Sequence, residues 1–379
     1  SKITINQKSN NMKNKLLIVI ALFLSIVSQA QLTGVKNIPG DYATLDAAVA
    51  VLNTAGVGSG GVTFNVQEGY TEEVTTPIII TATGTVDDPI LFQAATSSRS
   101  PMAVNPVVRR TDAGTLSTSA LEAQGDGVII IQGGDYITFD GIDVQSTNQG
   151  IEYGYFLRKA SSTDACKFVT IKNAAVTLTK GTSTFVIGIY ISNLDASSPV
   201  DNGAGITVTS TGGRSENILL AGNTISNVFG GITARGYNHA IAPYDFMDQN
   251  MTIGVENSGN TIKNFGGYST STTFGVHLHY QTSPNVSYNT IDNVAGGGTN
   301  ATSFIYGIWH QLSSNVGNFV ASNNSLIFGE DASSGGVVGI QATPAGQPAN
   351  SIVIQNNTFR FGTFNCTGTS NLINCTGAK

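Results

Sequence analysis

The pentapeptide Asn-Thr-Ile-Ser-Asn at residues 223–227 decides the fold, because variants of it return through the second half of the chain. They are Asn-Thr-Ile-Lys-Asn at 260–264, Asn-Thr-Ile-Asp-Asn at 289–293, Asn-Ser-Leu-Ile at 324–327 and Asn-Thr-Phe-Arg at 357–360. Their starting points are 37, 29, 35 and 33 residues apart. Repeats with periods of this size indicate a repeat architecture.

A second motif, a glycine followed by a β-branched residue, lies between the copies of the first. It occurs at Gly188-Ile189, Gly231-Ile232, Gly275-Val276, Gly307-Ile308 and Gly339-Ile340. The repeat has short strands and no helical periodicity, and it lacks the signatures of leucine-rich repeats and propeller blades. It predicts a parallel β-helix, whose equivalent residues stack about 4.8 Å apart. The recurrent asparagines then tolerate left-handed turns, and their stacked amides can hydrogen-bond along the ladder.

The region before the repeats predicts a cap. Residues 41–53 show the best helical pattern in the chain, a glycine-rich turn at 56–61 ends it, and an alternating strand follows at 62–66. The apolar face of the helix consists of Leu45, Ala48, Val49 and Leu52. Such a helix would cover the open end of a solenoid, whose first turn otherwise exposes its core and unpaired strand edges.

Composition narrows the class of protein. Of 379 residues, 11% are charged, 40% are hydrophobic, and the net charge is −6. A disordered chain would contain fewer apolar residues, so this composition favours an extended β architecture rich in glycine and small polar residues. Because basic residues are not in excess, nucleic acid is not an expected partner.

Residues 12–30 have the pattern of a signal peptide. Two lysines precede an unbroken apolar run at 16–24, and small residues at 28 and 30 predict cleavage before Gln31. The run is too short to span a bilayer as a stable helix, and a membrane anchor is the alternative. We expect a mature chain without a transmembrane segment, secreted or on the outer surface of a bacterium.

The chain has three cysteines, Cys166, Cys366 and Cys375, and an odd count in an exported protein leaves one of them unpaired. Cys366 and Cys375 could bridge a terminal loop, and their spacing matches no zinc pattern. Cys166 precedes an alternating strand and is predicted to be a small buried residue.

Three segments resemble the pectinesterase- and pectate-lyase-like superfamily of right-handed parallel β-helices. Residues 42–49 and 61–72 look like its N-terminal cap and first turn, and residues 134–143 look like an early core turn. The whole is similar to exported β-helix surface proteins of the Bacteroidetes type, which often carry a C-terminal sorting domain. The resemblance spans residues 37–362, and it implies the fold more specifically than any activity.

We therefore predict an all-β fold, a right-handed parallel β-helix (solenoid) with an N-terminal capping α-helix. Residues 1–30 form the leader and signal peptide, 31–126 the cap and first turns, and 127–379 the β-helix repeats. Since no sorting domain follows the last repeat, we expect the β-helix to be truncated at its C-terminus.

The catalytic signatures of the resembling enzymes do not occur in this sequence. Pectinesterases carry a Gly-x-Val-Asp-Phe-Ile-Phe-Gly segment and a Leu-Gly-Arg-Pro-Trp segment, whereas the single tryptophan here, Trp309, has no Arg-Pro beside it. Pectate lyases bind Ca²⁺ through clustered carboxylates, and the carboxylates here are scattered. We predict no metal site and no cofactor. Binding of Ca²⁺ is left open, although the sequence contains no motif for it.

The segment 235–248 breaks the repeat period and predicts a long loop, where function tends to lie on a rigid scaffold. It gathers the residue types that acid–base chemistry or sugar binding uses. The weak catalytic candidates are Asp245, Asp248, His239 and Arg235, and Tyr244 is a candidate for ligand binding. The alternative is an ordinary insertion whose polar residues face water.

Aligning the glycine motifs gives a second candidate. By strand alternation, the first and third residues after each glycine face the core, and the second and fourth face outward. The outward positions include Tyr190, His277, His279, Trp309 and Gln311, while His310 stands at an inward position. Aromatics stack on sugar rings, so these five residues are predicted to bind ligand. The alternatives are a solvated face, or a metal on His277 and His279, for which no third ligand is evident.

Two functions follow from these features. The first is a secreted or cell-surface β-helix with an adhesive or carbohydrate-binding role, whose partner is a polysaccharide or surface glycan. The alternative is a polysaccharide lyase or glycoside hydrolase acting on an acidic or plant or algal polysaccharide. The enzyme would be favoured if Asp245 or Asp248 lay about 5–10 Å from another carboxylate.

Overall fold

The computed structural model describes residues 30–95, 104–115, 126–181, 186–197, 205–266, 272–295, 303–311, 318–329, 335–343, 351–362 and 370–375. The predicted signal peptide and Cys366 lie outside these residues. The described chain is nearly all β, a right-handed parallel β-helix as predicted. No helix of the described residues is long and apolar enough to cross a membrane.

The N-terminal cap forms as the apolar pattern predicted. Helix α1 (Leu45–Ala55) begins four residues later than predicted and buries the four predicted apolar residues. The Thr44 hydroxyl accepts a hydrogen bond from the backbone N–H of Ala47 at 3.0 Å, which satisfies one free donor of the first turn. The Glu72 carboxylate accepts from the N–H groups of Leu45 and Asp46 at 2.6 and 2.9 Å, so the first coil of the solenoid holds the start of the helix.

Three parallel sheets make the walls of the solenoid. Sheet 1 contains β1 (Leu32–Ile38), β2 (Val57–Val66), β5 (Ile90–Ala94), β8 (Ile137–Asp140), β11 (Thr170–Lys172), β14 (Leu219–Ala221), β18 (Thr252–Ile253), β22 (Asn285–Ser287), β25 (Phe319–Ser322) and β28 (Ile352–Gln355). Sheet 2 contains β3 (Thr71–Val74), β6 (Val107–Arg110), β9 (Asp143–Ser146), β12 (Ala175–Thr177), β15 (Thr224–Val228), β19 (Thr261–Phe265), β23 (Thr290–Asp292), β26 (Ser325–Phe328) and β29 (Thr358–Phe361).

Sheet 3 carries the glycine motifs. It contains β4 (Ile78–Ile80), β7 (Gly127–Gln132), β10 (Tyr153–Arg158), β13 (Ile187–Ile191), β16 (Gly230–Arg235), β20 (Thr273–His279), β24 (Phe304–Gln311), β27 (Gly336–Thr343) and β30 (Asn371–Cys375). A two-stranded sheet of β17 (Asp248–Gln249) and β21 (Gln281–Thr282) and a 3-10 turn (Thr211–Gly213) lie outside the walls. Each turn of the solenoid contributes one strand to each sheet, from β2 to β30 in the described chain.

Like residues stack in the core, which is why the sequence repeats. Ile262 pairs in register with Ile225 of the preceding turn and Ile291 of the following one. In the first turns the stacked residues are aromatic, with the ring of Phe92 4.8 Å from Phe64 and 4.7 Å from Phe139. These side chains are fully buried, so their apolar area stabilises contacts between neighbouring turns.

The first asparagine of each repeat belongs to a hydrogen-bonded ladder, the asparagine ladder. It consists of Asn223, Asn260, Asn289, Asn324 and Asn357. The first four side chains each donate from Nδ2 to the Oδ1 of the next asparagine at 2.9–3.0 Å. Each Nδ2 also donates to a backbone carbonyl of the preceding turn at 2.8–2.9 Å. The predicted stacking is confirmed.

The predicted left-handed conformation falls on other residues. No ladder asparagine has a positive φ, whereas the closing asparagines Asn227 and Asn264 have φ of 57° and 48°. In the first two copies of the motif, the two predicted roles are therefore divided between the first and the last asparagine, whereas Asn293, which closes the third copy, has no positive φ. The reason is geometric, because the ladder position needs a side chain that points along the solenoid axis from an extended backbone.

Candidate functional site

The repeated glycines of sheet 3 mark a break in strand alternation, shared by neighbouring strands in register, that decides which side chains face outward. A Cβ on Gly275 would lie 2.5 Å from Ile291 in the core and 2.8 Å from the carbonyl oxygen of Gly307. Gly275 and the following Val276 thus both face inward. Phe274 and His277 flank this pair, and both face outward. Their ring centroids lie 4.8 Å apart. The same holds around Gly307 in the next turn.

This break in alternation assembles an aromatic face on the outer side of sheet 3. It consists of Phe274, His277, Phe304, Tyr306 and Trp309. The Trp309 ring lies 4.5 Å from His277 and 4.7 Å from Tyr306, with interplanar angles of 18° and 21°. All but Phe274 are partly exposed. Sequence alternation predicted His277 and Trp309 but missed Phe274 and Tyr306, which precede the glycine.

Hydrogen-bonding groups border the aromatic face. His277 Nε2 lies 3.3 Å from Gln311 Oε1, so the tautomer that donates from Nε2 leaves Nδ1 as an acceptor. His277 Nδ1 and Trp309 Nε1 have no hydrogen-bond partner among the described residues, although both atoms are buried. Gln341 follows Trp309 in the next strand, in register with it. The site therefore offers neutral donors and acceptors beside apolar rings.

His277 of the aromatic face and the neighbouring His279 are both uncharged at neutral pH. Burial lowers the pKa of His277 to about 4; the hydrogen bond to Gln311 opposes this effect, and the charges of Arg235 and His310 add to it. Burial, followed by the charge that His277 would carry, lowers the pKa of His279 to about 3. Arg235 is in register with His279. The aromatic rings thus carry no charge that would select an acidic ligand.

Two of the predicted ligand-binding residues are less accessible than predicted. Tyr190 is fully buried, with its ring 5.0 Å from Tyr153 and 5.3 Å from Phe156. The prediction that it faces solvent is wrong, because the outer side of sheet 3 is covered at this level of the solenoid. His279 is 8% exposed and stacks on Tyr280 at 3.7 Å. Alternation placed both side chains on the outer side, but it cannot show what covers that side.

The loop after β16 forms a separate cluster around His239. Its ring stacks on Phe246 at 4.4 Å, its Nδ1 accepts a hydrogen bond from the Phe246 N–H at 3.2 Å, and Tyr244 lies edge-on at 6.5 Å. Asp245 Oδ1 lies 3.7 Å from His239 Nδ1. The predicted candidates His239, Tyr244 and Asp245 therefore meet, whereas Arg235 lies on β16 beside His279.

Asp248 is not available as a catalytic carboxylate. Its side chain is fully buried, and Oδ1 lies 3.1 Å from Nζ of Lys159, which is equally buried. Burial raises the pKa of Asp248, against the opposing effect of Lys159. The expectation that Asp248 meets substrate is corrected, because no solvent reaches the carboxyl. Lys159 was missed by sequence reasoning, since a lysine after a strand is ordinarily solvated.

Metal-binding geometry is not evident in the described part of the chain. Nowhere there do three or more His, Cys, Asp or Glu side chains group closely enough to hold a metal ion. His277 and His279 lie with their rings 5.8 Å apart. Binding of Ca²⁺, which the sequence left open, is not tested by this geometry.

His310 faces the core, as its position in the strand requires, and it makes folding sensitive to acid. It is 1% exposed, its Nε2 lies 3.1 Å from the carbonyl oxygen of Gln281, and its ring packs 4.6 Å from Phe319. Burial lowers its pKa to about 4. The unfolded chain binds a proton near pH 6.5 and the folded chain does not, so stability is full above pH 6.5 and falls as the pH drops towards 4.

The variant His310→Gln is expected to lose this acid sensitivity. Between pH 7 and 5, the free energy of unfolding of the wild-type chain should fall by about 2 kcal/mol more than that of the variant. Urea denaturation followed by circular dichroism at each pH measures the difference. The buried carboxyls titrate alike in both proteins, so parallel pH profiles would show that His310 is not held neutral.

Comparisons with known proteins identify no family. No protein-family model matches the chain, and no curated protein matches it. Similar solved structures include the GH136 lacto-N-biosidase from Eubacterium ramulus, with 12% identity over 89% of this chain and a TM-score of 0.49. They also include the Streptococcus pneumoniae surface adhesin PfbA, with 13% identity, 85% of this chain, 87% of PfbA and a TM-score of 0.40. This chain spans 66% of the lacto-N-biosidase chain.

Proposed function

We propose that this protein is a glycan-binding β-helix whose aromatic face holds a neutral polysaccharide without cleaving it. The observation that carries the proposal is the row of partly exposed rings centred on Trp309, bordered by the amides of Gln311 and Gln341. Aromatic side chains supply large apolar contacts with a polar edge. Sugars present both an apolar face of C–H groups and a rim of hydroxyls, so this combination matches them.

The geometry of sheet 3 suits an extended ligand. Its strands repeat at about 4.8 Å along the solenoid, and His277, Trp309 and Gln341 occupy the same register in successive turns. A polymer lying along the solenoid axis would therefore meet an aromatic or amide side chain in each of these three turns. The uncharged histidines favour a neutral polymer over a uronic-acid polymer.

An adhesive role outside the cell is part of the same proposal. It is supported by the pattern of a signal peptide at residues 12–30 and by the rigidity of a solenoid with stacked core residues and a satisfied asparagine ladder. The lyase or hydrolase alternative receives less support, because Asp248 is buried in an ion pair with Lys159.

The variant His277→Ala/Trp309→Ala is expected to weaken glycan binding about tenfold or more, since each lost ring contact contributes about 1 kcal/mol. A glycan array on the chain from Gln31, followed by calorimetry on the best ligand, measures the loss. His239→Ala/Asp245→Ala is the matched control, because it removes a histidine cluster outside the aromatic face and should leave affinity unchanged.

A depolymerisation assay with the same proteins distinguishes binding from catalysis. The proposal expects bound glycan and no shortened products. Products that disappear in the His239→Ala/Asp245→Ala variant would overturn it in favour of an enzyme with its site in the loop after β16. Binding that survives the loss of both His277 and Trp309 would place the ligand elsewhere.

A further inference from the structure

Lys159 and Asp248 form a buried contact although they are far apart in the sequence and come from different turns of the solenoid. Lys159 directly follows β10 and Asp248 opens β17, 89 residues later. Nζ of Lys159 lies 3.1 Å from Oδ1 of Asp248, and both side chains are 0% exposed. A fully buried ion pair is weak evidence for stability, because removing both charges from water costs about as much as their attraction returns. Stability alone therefore does not explain why the ion pair is present.

The residues that flank β17 are buried like the pair itself. Met247 and Met251, on either side of β17, are each 1% exposed. The backbone N–H of Ser215 donates to Asp248 Oδ1 at 2.8 Å, which fixes the plane of the carboxyl group. Gln281 lies in register opposite Asp248, is fully buried, and its Oε1 has no hydrogen-bond partner within the described ranges. An acceptor without a donor thus lies beside an amine and a carboxyl group.

We propose that Lys159 and Asp248 condense into an intramolecular amide bond that joins two turns of the solenoid. A proton passes from the ammonium to the carboxylate, which gives a neutral amine and a carboxylic acid. The Nζ lone pair attacks Cγ of Asp248, the bond from Cγ to the departing oxygen breaks, and that oxygen leaves as water. The water carries the carboxyl proton and one proton from Nζ. One N–C bond replaces one C–O bond, and no oxidant or reductant is needed.

The site supplies what this condensation requires. The fold holds the amine against the carboxyl group, which converts a bimolecular step into an intramolecular one with a high effective concentration. Low polarity favours the neutral pair over the ion pair, and burial raises the pKa of Asp248 in the same direction. The new amide retains one N–H, for which Gln281 Oε1 is an available acceptor. Exclusion of water disfavours hydrolysis of the product.

Peptide mapping of the wild-type chain under denaturing, reducing conditions tests the proposal. Trypsin cannot cleave after an acylated lysine, so we expect a branched peptide in which residues 159–167 are joined to residues 236–263. Its mass should be that of the two peptides less one water. Linear peptides 160–167 and 236–263 without the branched species would overturn the proposal and leave an ion pair.

The double variant Lys159→Met/Asp248→Leu serves as the control, because it removes both reacting groups and both buried charges together. It should yield only linear peptides covering the same two segments. A branched species that persists in this variant would assign the crosslink to other residues and would also overturn the proposal. The decisive measurement is made on the wild-type protein, so it does not depend on the folding of any variant.

Discussion

Replacing Lys159 alone by methionine is expected to lower the free energy of unfolding by about 3–5 kcal/mol, the largest loss from any single substitution considered. The change leaves the Asp248 carboxyl buried with only the Ser215 N–H and its neighbours to compensate it. The variant is less stable than the wild type whether Lys159 and Asp248 form an ion pair or an amide bond, since the substitution removes either one. Urea denaturation followed by circular dichroism measures it.

Two further variants show whether burial is the cause. Lys159→Met/Asp248→Leu removes both groups and should be more stable than Lys159→Met, because no buried carboxyl group is left uncompensated. Lys172→Met breaks the surface pair with Asp140, whose 3.2 Å contact is partly exposed; this should cost less than about 1 kcal/mol. Equal losses at Lys159 and Lys172 would contradict the description of the buried pair.

Interrupting the asparagine ladder with Asn289→Leu is expected to cost about 3 kcal/mol. Asn289 Oδ1 accepts from the backbone N–H and the side chain of Asn260, and its Nδ2 donates to the Ile253 carbonyl. Leucine leaves that N–H and that carbonyl buried without partners, and each such group costs about 1–3 kcal/mol. Thermal or urea denaturation of the full chain measures the loss.

Asn250→Gly is the matched control for the ladder. Asn250 is exposed and has a φ of 55°, a conformation that glycine adopts at least as readily. Its substitution should change stability by only a few tenths of a kcal/mol. If Asn289→Leu were as mild as this control, the ladder would be a packing feature and would not hold the turns together.

The repeat could be predicted from the sequence because each turn of the solenoid sees nearly the same surroundings. Stacking selects isoleucine at positions such as 225, 262 and 291, and the ladder selects asparagine two residues before each of them. The capping helix could also be predicted, because its apolar face must pack against the first turn of the solenoid. These features are local or repeat at a fixed period, so one sequence contains the evidence for them.

The parts of the site that were missed depend on contacts between distant residues. Strand alternation cannot predict that two consecutive residues, Gly275 and Val276, both face inward, and so Phe274 was overlooked. Strand alternation also cannot predict that Tyr190 is fully buried. Nor can it reveal that Lys159 meets Asp248 across 89 residues of chain. The repeated glycine could have indicated the inward-facing residue, because a Cβ at that position would clash with side chains of the core.

Fluorescence of Trp309 tests the central claim most directly, because it is the single tryptophan of the chain and lies at the centre of the aromatic face. Titrating the chain from Gln31 with neutral oligosaccharides should shift its emission saturably, with a midpoint equal to the Kd from calorimetry. Uronic-acid oligosaccharides should shift it less. Glycan binding that leaves the emission unchanged, or no binding across the neutral panel, would contradict the account.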